Sequence, residues 1–205
     1  MIKLVISMIP RPPMPGWSLV GPFDGADSRV DLGLQGLPLA DTTVGAVYIQ
    51  NTLEYLSQDR SLALLRDLRR LLQPGGFRDS ADGVEPFEGG LLRLCTPDLA
   101  AASLAYSQRD ERFFASSAPG QDPDSPVGAK FAAWLFGTAS LPRLQAFDHD
   151  TLTHLLKQAG FGAMYRSACR KSLLPELCAE GLEAPGPDVL YMECWRPADA
   201  ARRAA

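Results

Sequence analysis

The chain is poor in the residues that build metal centres and disulfide frameworks. Its four cysteines, Cys95, Cys169, Cys178 and Cys194, are scattered over 205 residues with no C-x-x-C pair, and its two histidines, His149 and His154, stand five positions apart. That spacing fits neither a disulfide scaffold nor a zinc site, so reduced, buried thiols and no metal are expected. Long apolar runs are missing too: none approaches the ~20 residues that a membrane span needs. The first ten residues carry one lysine and no small-residue cleavage site, which predicts no secretory signal and a cytoplasmic protein. Nor is there an excess of positive charge. Twenty basic residues face 24 acidic ones, a net charge of -4, which leaves no electrostatic case for nucleic acid. Arg66, Arg69 and Arg70 cluster, but Asp59 and Asp67 dilute them into a solvated helix face.

What the chain does have is enough apolar residue, 46% of the total, to bury one substantial core. A single domain over 1–197 is expected, with 198–205 a frayed tail. The most ordered signal lies in 37–76. Ala46-Val47-Tyr48-Ile49 is a β-prone apolar run preceded by the turn formers Asp41-Thr42-Thr43. Ser57 then opens a helix in which Leu62, Leu65, Leu68 and Leu72 recur at three- and four-residue spacings, with Leu64 and Leu71 widening the stripe. Arginines suit the dipole of its last turns, and Pro74-Gly75-Gly76 stops it.

This stretch resembles the middle of the class I S-adenosylmethionine (SAM)-dependent methyltransferases, where an "LPF-D-x-x-FD-x-V" strand leads through "xxLEHL" to a helix ending in "LKPGG". Phe147 to Phe161 is similar to the late family element "YDxETLxxLLxxAGF". Thr96-Pro97-Asp98-Leu99, Pro175-Glu176-Leu177 and the closing VLYMECW resemble the "VPDL", "DPEL" and "LYVEA" of a small subgroup associated with surface-polysaccharide pathways. The likeness spans about 2–197. It implies an α/β fold, a three-layer Rossmann-like sandwich whose mostly parallel sheet carries an antiparallel C-terminal strand. Ligands of such sheets bind beyond the carboxyl ends of the strands, which gathers 7–10, 21–24, Asp31-Leu32, Gln50-Asn51 and 96–98 around one crevice.

Upstream the chain departs from the family pattern. Lys3-Leu4-Val5-Ile6 reads as the first strand, and Pro15-Gly16-Trp17 matches a tryptophan turn before the second, Ser18-Leu19-Val20. The glycine loop expected between them is replaced by Ser7-Met8-Ile9-Pro10. Gly21 stands where a carboxylate would meet the ribose hydroxyls of SAM, while Asp31-Leu32 keeps the position that faces the adenine. Glycines let a backbone pass close beneath a cofactor, so Ser7, Met8 and Ile9 are expected to push side chains into that space. Asp24 or Asp27 replaces the missing carboxylate only if its loop bends back. A lost charge-assisted hydrogen bond costs on the order of 1.5–3 kcal/mol. By the resemblance, then, Ser7, Ile9, Gly21, Asp31, Leu32 and Gln50 are the cofactor-binding positions in degenerate form, and glycines at 7 and 9 with Gly21→Asp should restore affinity.

The catalytic signal is thin. Leu53-Glu54-Tyr55-Leu56 replaces "LEHL", leaving Tyr55, Asp98 and His149 as candidate bases with no diagnostic spacing among them. The segment 77–90 is an insertion, expected to form an exposed loop or a small hairpin turning at Asp82-Gly83. The Pro-, Asp- and Ser-rich 116–127 reads as a mobile loop. Two functions follow from the resemblance. One is a methyltransferase-fold pseudoenzyme with impaired or absent SAM binding, acting as a binding or partner module. The other is an active SAM-dependent O-methyltransferase acting on a sugar or other small molecule. The expected partner is accordingly a small molecule or a protein, with oligomeric state left open and SAM the cofactor only in the active case.

Overall fold

The run 44–50 is apolar enough to be covered on both faces, and in the computed structural model it lies at the centre of the fold. Residues 1–80, 83–87, 89–117, 122, 124–178, 183 and 186–197 are described here. The chain runs through β1 (Ile2–Ser7), β2 (Ser18–Gly21), β3 (Ser28–Arg29), β4 (Val44–Gln50), α1 (Gln58–Leu71), β5 (Gly76–Ser80), β6 (Gly83–Phe87) and β7 (Leu91–Pro97). It continues through α2 (Leu99–Ser107), α3 (Glu111–Ser117), α4 (Val127–Phe136), β8 (Gly137–Thr138), β9 (Leu141–Pro142), α5 (His149–Gln158), β10 (Gly162–Ser167) and β11 (Val189–Trp195). Seven strands form one sheet in the order β10-β11-β7-β4-β1-β2-β3. All pairings are parallel except those of β11, which runs antiparallel between β7 and β10. β4 is the middle strand, buried from Val44 to Ile49, as parallel strands covered on both faces must be.

One face of the sheet packs on helices. Ser57 caps α1, its hydroxyl accepting from Arg60 N at 3.4 Å, and Leu64, Leu65, Leu68 and Leu71 turn inward. Asp148 caps α5 through Thr151 N at 2.8 Å, and that helix buries Leu152, Leu155 and Leu156. Arg69 Nε donates to Gly160 O at 2.8 Å, so the last turn of α1 holds the chain where α5 ends. These helices close over Ile6, Val47, Ile49, Leu92 and Leu94 in the main core.

The opposite face is built differently. Val5, Leu19, Tyr48, Cys95 and Tyr191 are covered by Met14, Trp17, Phe23, Cys169, Leu174 and Leu177, all from segments without α-helix. The β1–β2 crossover explains why. Between Ser7 and Ser18 it contains Pro10, Pro12, Pro13 and Pro15, and prolines at that density remove amide donors and push each preceding residue out of the helical region. The crossover ends in a turn closed by Trp17 N to Met14 O at 3.0 Å, with Gly16 at φ +78°. Proline then glycine at its centre is the type II pattern.

Across the same face, Arg93 of β7 is fully buried between two carboxyl side chains. Its Nε donates to Glu183 Oε1 at 2.6 Å and its Nη2 to Glu183 Oε2 at 2.9 Å. Its Nη1 reaches Glu193 Oε1, the cross-strand neighbour on β11, at 2.9 Å. Lys171 O and Ala168 O take further donors at 2.8 Å each. Glu193 in turn accepts from Ser172 Oγ at 2.5 Å, Leu173 N at 3.3 Å and the Tyr165 hydroxyl. One guanidinium thus fastens the segment after β10 to the sheet.

α2, α3 and α4 make a separate cluster around Ala102, Ala105, Phe113, Phe114 and Trp134, entered from the carboxyl end of β7. The segment 116–127, expected as a mobile loop, overlaps two helices. Residues 116 and 117 end α3 and 127 opens α4, while 118–121 and 123 lie outside the described residues. The insertion is a hairpin: β5 pairs antiparallel with β6 from Gly76↔Phe87 to Ser80↔Gly83. Its connection, 81–82, lies outside the described residues. At its neck Gly75 and Gly89 touch, since a Cβ on Gly89 would stand 2.1 Å from Gly75 Cα. Joining Gly75 directly to Gly89 is therefore expected to preserve a cooperative melt, with a midpoint within about 4 °C of the parent, or about 1 kcal/mol. An aggregated or molten product would assign the hairpin to the core.

Candidate functional site

The strand order reverses between β1 and β4, and at such a point the carboxyl ends diverge into a ligand crevice. Ser7 and Gln50 stand side by side there. The three side chains expected to fill the glycine-loop space do not all enter it. Ser7 folds back on its own turn, its hydroxyl donating to Ile9 O at 2.7 Å and accepting from Ile9 N at 3.3 Å. Met8 packs against the helix-side core, and Ile9 is 41% exposed. Arg11 and Phe23 lie beside the ends of β4 and β2. Arg11 Nη1 donates to Gln50 Oε1 at 2.5 Å, and the guanidinium lies 5.6 Å above the Tyr48 ring. Burial lowers the Arg11 pKa from its ordinary value.

Gly21 has a reason of its own. A Cβ there would stand 2.4 Å from Ser7 O and 2.4 Å from the Phe23 ring. The Gly21→Asp substitution that the resemblance suggests has no room, because backbone of β1 blocks it. Nor do the nearby carboxylates bend back. Asp24 pairs with Arg29 at 2.5 Å on the surface, and Asp27 Oδ2 accepts from Leu19 N at 2.7 Å. The expected adenine-facing pair is placed otherwise as well. β3 ends at Arg29, two residues before Asp31. Asp31 is ion-paired with Arg60 of α1, whose Nε also donates to Leu32 O at 3.0 Å. The Leu32 side chain is fully buried in the main core.

A second polar group lies beyond β4 and β7. Glu54, in the short 3-10 turn Leu53–Tyr55, is 1% exposed. Its Oε2 accepts from Thr96 Oγ1 at 3.3 Å, while its Oε1 is buried with no hydrogen-bond partner among the described residues. Burial dominates and pushes the Glu54 pKa up to about 7, against smaller opposing effects from its own backbone amide, Arg143 and Thr96. The backbone of this turn also receives the chain arriving from the helical cap. Glu54 O accepts from Leu144 N at 2.7 Å, and Gln145 Nε2 donates to Leu56 O and Ser61 Oγ at 2.8 and 2.9 Å. Arg143 lies 5.3 Å over the Trp134 ring.

The three candidate bases are not brought together: among the described residues none bonds to another. Burial raises the Tyr55 pKa, opposed in part by Arg143. Asp98 caps α2, accepting from Ala100 N at 3.0 Å, and its other oxygen meets Arg166 Nη2 at 2.8 Å. The His149 ring, at the start of α5, meets only the neighbouring Asp150, at 3.2 Å. Sequence reasoning passed over Glu54, Arg11 and Arg143. Glu54 stands between Leu53 and Tyr55 in the very motif whose tyrosine is the candidate, and Arg11, between two prolines, carries no spacing signal. Among the described residues no group of three His, Cys, Asp or Glu side chains is arranged to hold a metal, and no helix is long and apolar enough to cross a membrane.

No family model and no curated protein matches the sequence. Solved structures do resemble it. The SAM-dependent methyltransferase SibL, in its apo form, aligns with 96% of this chain at 13% identity and a TM-score of 0.50. This chain spans about half of SibL, 51% of its length. A SAM-dependent methyltransferase from Mesorhizobium loti covers 95% of the chain, and 90% of its own length, at 16% identity and a TM-score of 0.49. With seven strands, one of them antiparallel, and the likeness to SibL, the chain has the class I methyltransferase fold.

Glu54 gives the site a pH dependence with a defined sign. Its folded pKa of about 7 stands above the ordinary 4.5, so the fold favours the neutral carboxyl. The stability contributed is fully present below about pH 4.5 and is lost as pH rises through about 7, amounting to on the order of 3 kcal/mol. Glu54→Gln should remove that loss, and denaturant melts at pH 5 and pH 8 should differ less in the variant than in the parent. Equal pH dependence in the two would contradict the assignment.

Proposed function

We propose that this protein is a methyltransferase-fold pseudoenzyme: a non-catalytic binding or partner module that does not take SAM in the manner of its fold relatives. The observation that carries the reading is the β1–β2 crossover. It has no glycine loop and no helix, and therefore presents no helix N-terminus to the crevice. Arg11 and Phe23 stand in the space beyond it. A ribose would find glycine at the end of β2, with no acceptor side chain and no room to add one. What remains is a rigid sheet with a remodelled crevice, suited to a small molecule or to a protein partner.

A second reading, an active SAM-dependent O-methyltransferase acting on a sugar or other small molecule, draws on Glu54. A buried carboxyl with a pKa of about 7 suits a general base near neutrality. It is the weaker reading, because a base without a seated methyl donor has nothing to act on. Titration calorimetry of the unmodified protein with SAM separates the two. The pseudoenzyme reading expects no saturable heat and a Kd weaker than about 1 mM. Saturable binding in the micromolar range would return the protein to the active enzymes.

A further inference from the structure

We propose that Arg11 anchors a binding site for a small organic oxyanion, a carboxylate or a phosphate monoester, at the carboxyl ends of β1 and β4. This deepens the binding-module reading by naming the class of ligand, and it rests on the crevice being closed to SAM.

Arg11 carries a charge with no carboxylate beside it among the described residues. Arg29, Arg60, Arg70, Arg93 and Arg166 each meet a carboxylate. Arg11 meets none among the described residues; Arg69 and Arg143 meet none either, but donate to the carbonyls of Gly160 and Trp134. The hydrogen-bond partner of Arg11 is the neutral amide oxygen of Gln50, and its Nε is buried with no acceptor among the described residues. Nor do its neighbours supply negative charge. Burial pushes the Cys95 thiol up to about 12 and raises the Tyr48 phenol as well, so both stay neutral. Arg11 is half-buried, and partly withdrawing a cation from water carries a cost that an anion beside it would offset. The place where this cost is borne is the topological reversal of an open α/β sheet, where ligands of such folds bind.

The chemistry of the group narrows the ligand. A guanidinium offers paired donors in a planar fork, which match the two oxygens of a carboxylate or phosphate. Gln50 Oε1, 2.5 Å from Nη1, stands where one such oxygen would sit. A short rotation of the Gln50 side chain exchanges this internal acceptor for the ligand. The ring of Tyr48 forms the floor beneath the fork.

Thermal melts and calorimetry with inorganic phosphate and with propionate, against sodium chloride at matched ionic strength, test this. Saturable stabilisation by at least one of the two probes is expected, and the tighter one decides between phosphate and carboxylate chemistry. Arg11→Gln should weaken that binding at least tenfold while raising the melting temperature of the ligand-free protein. Gln50→Glu should also raise it and block the probe, because a built-in carboxylate then occupies the fork. No saturation with either probe, or saturation unchanged in Arg11→Gln or in Gln50→Glu, would overturn the proposal. SAM titration of the same samples reads the cofactor question separately: a protein that binds SAM but no oxyanion fails both readings. One that binds neither fails only this one.

Discussion

The fully buried Arg93 guanidinium, set between Glu183 and Glu193, is the interaction on which the rest of this structure depends. Most sheets of this kind close their second face with helices that bury an apolar stripe. Here the cover is irregular chain with one short 3-10 turn, Pro175–Cys178, which satisfies little of its own backbone and presents no long apolar stripe. It needs another source of order. Arg93 supplies it by donating to two carboxyl side chains and to the carbonyls of Ala168 and Lys171. Burial alone would lower its pKa, and the two carboxyls more than offset that. Such a cluster is a poor source of net stability compared with a well-packed apolar one, but removing one member strands the others. Here it fixes where an irregular layer lies.

That layer shapes the crevice. Leu174 and Leu177, just beyond the Arg93 anchor, share one cluster with Trp17, Leu19 and Phe23, and Lys3 reaches Glu176 at 2.5 Å. The proline-rich crossover and the anchored segment therefore support each other. Phe23 is held over Gly21, and Arg11 is held over Tyr48. The proposed function rests on this packing: Phe23 stands against Gly21 and Arg11 against Gln50 and Tyr48, and among the described residues Arg11 meets no carboxylate.

The parts of this architecture legible in the sequence were those written locally. The stripe of leucines in α1, its Ser57 cap and the apolar run of β4 declare themselves within thirty residues, as do the Asp148 cap and leucines of α5. The missing glycine loop was equally visible. Its consequence for the side chains is not legible locally: Ser7 closes its own turn and Met8 packs on the helix side. The same holds for Asp31 and Leu32, which lie beyond β3, one paired with Arg60 and the other in the core. What the sequence hid were long-range pairings. Arg93 lies in an otherwise apolar strand, and its carboxyl partners come 90 and 100 residues later. Glu54 sits between leucines, and its burial depends on Thr96 and on the chain at 143–145. The four prolines of the crossover exclude a helix by local physics, a signal present in the sequence but not among the expectations drawn from it.

Hydrogen exchange on Arg93→Met tests the central claim most directly, that one buried guanidinium holds the layer without α-helix and the crevice it forms. The account predicts lost amide protection across 162–178 and 17–23, with β4 and α1 still protected, and a loss of global stability of about 3–5 kcal/mol. Unchanged protection in the crossover and in the segment after β10 would contradict it, since the second face would then be held by apolar packing alone.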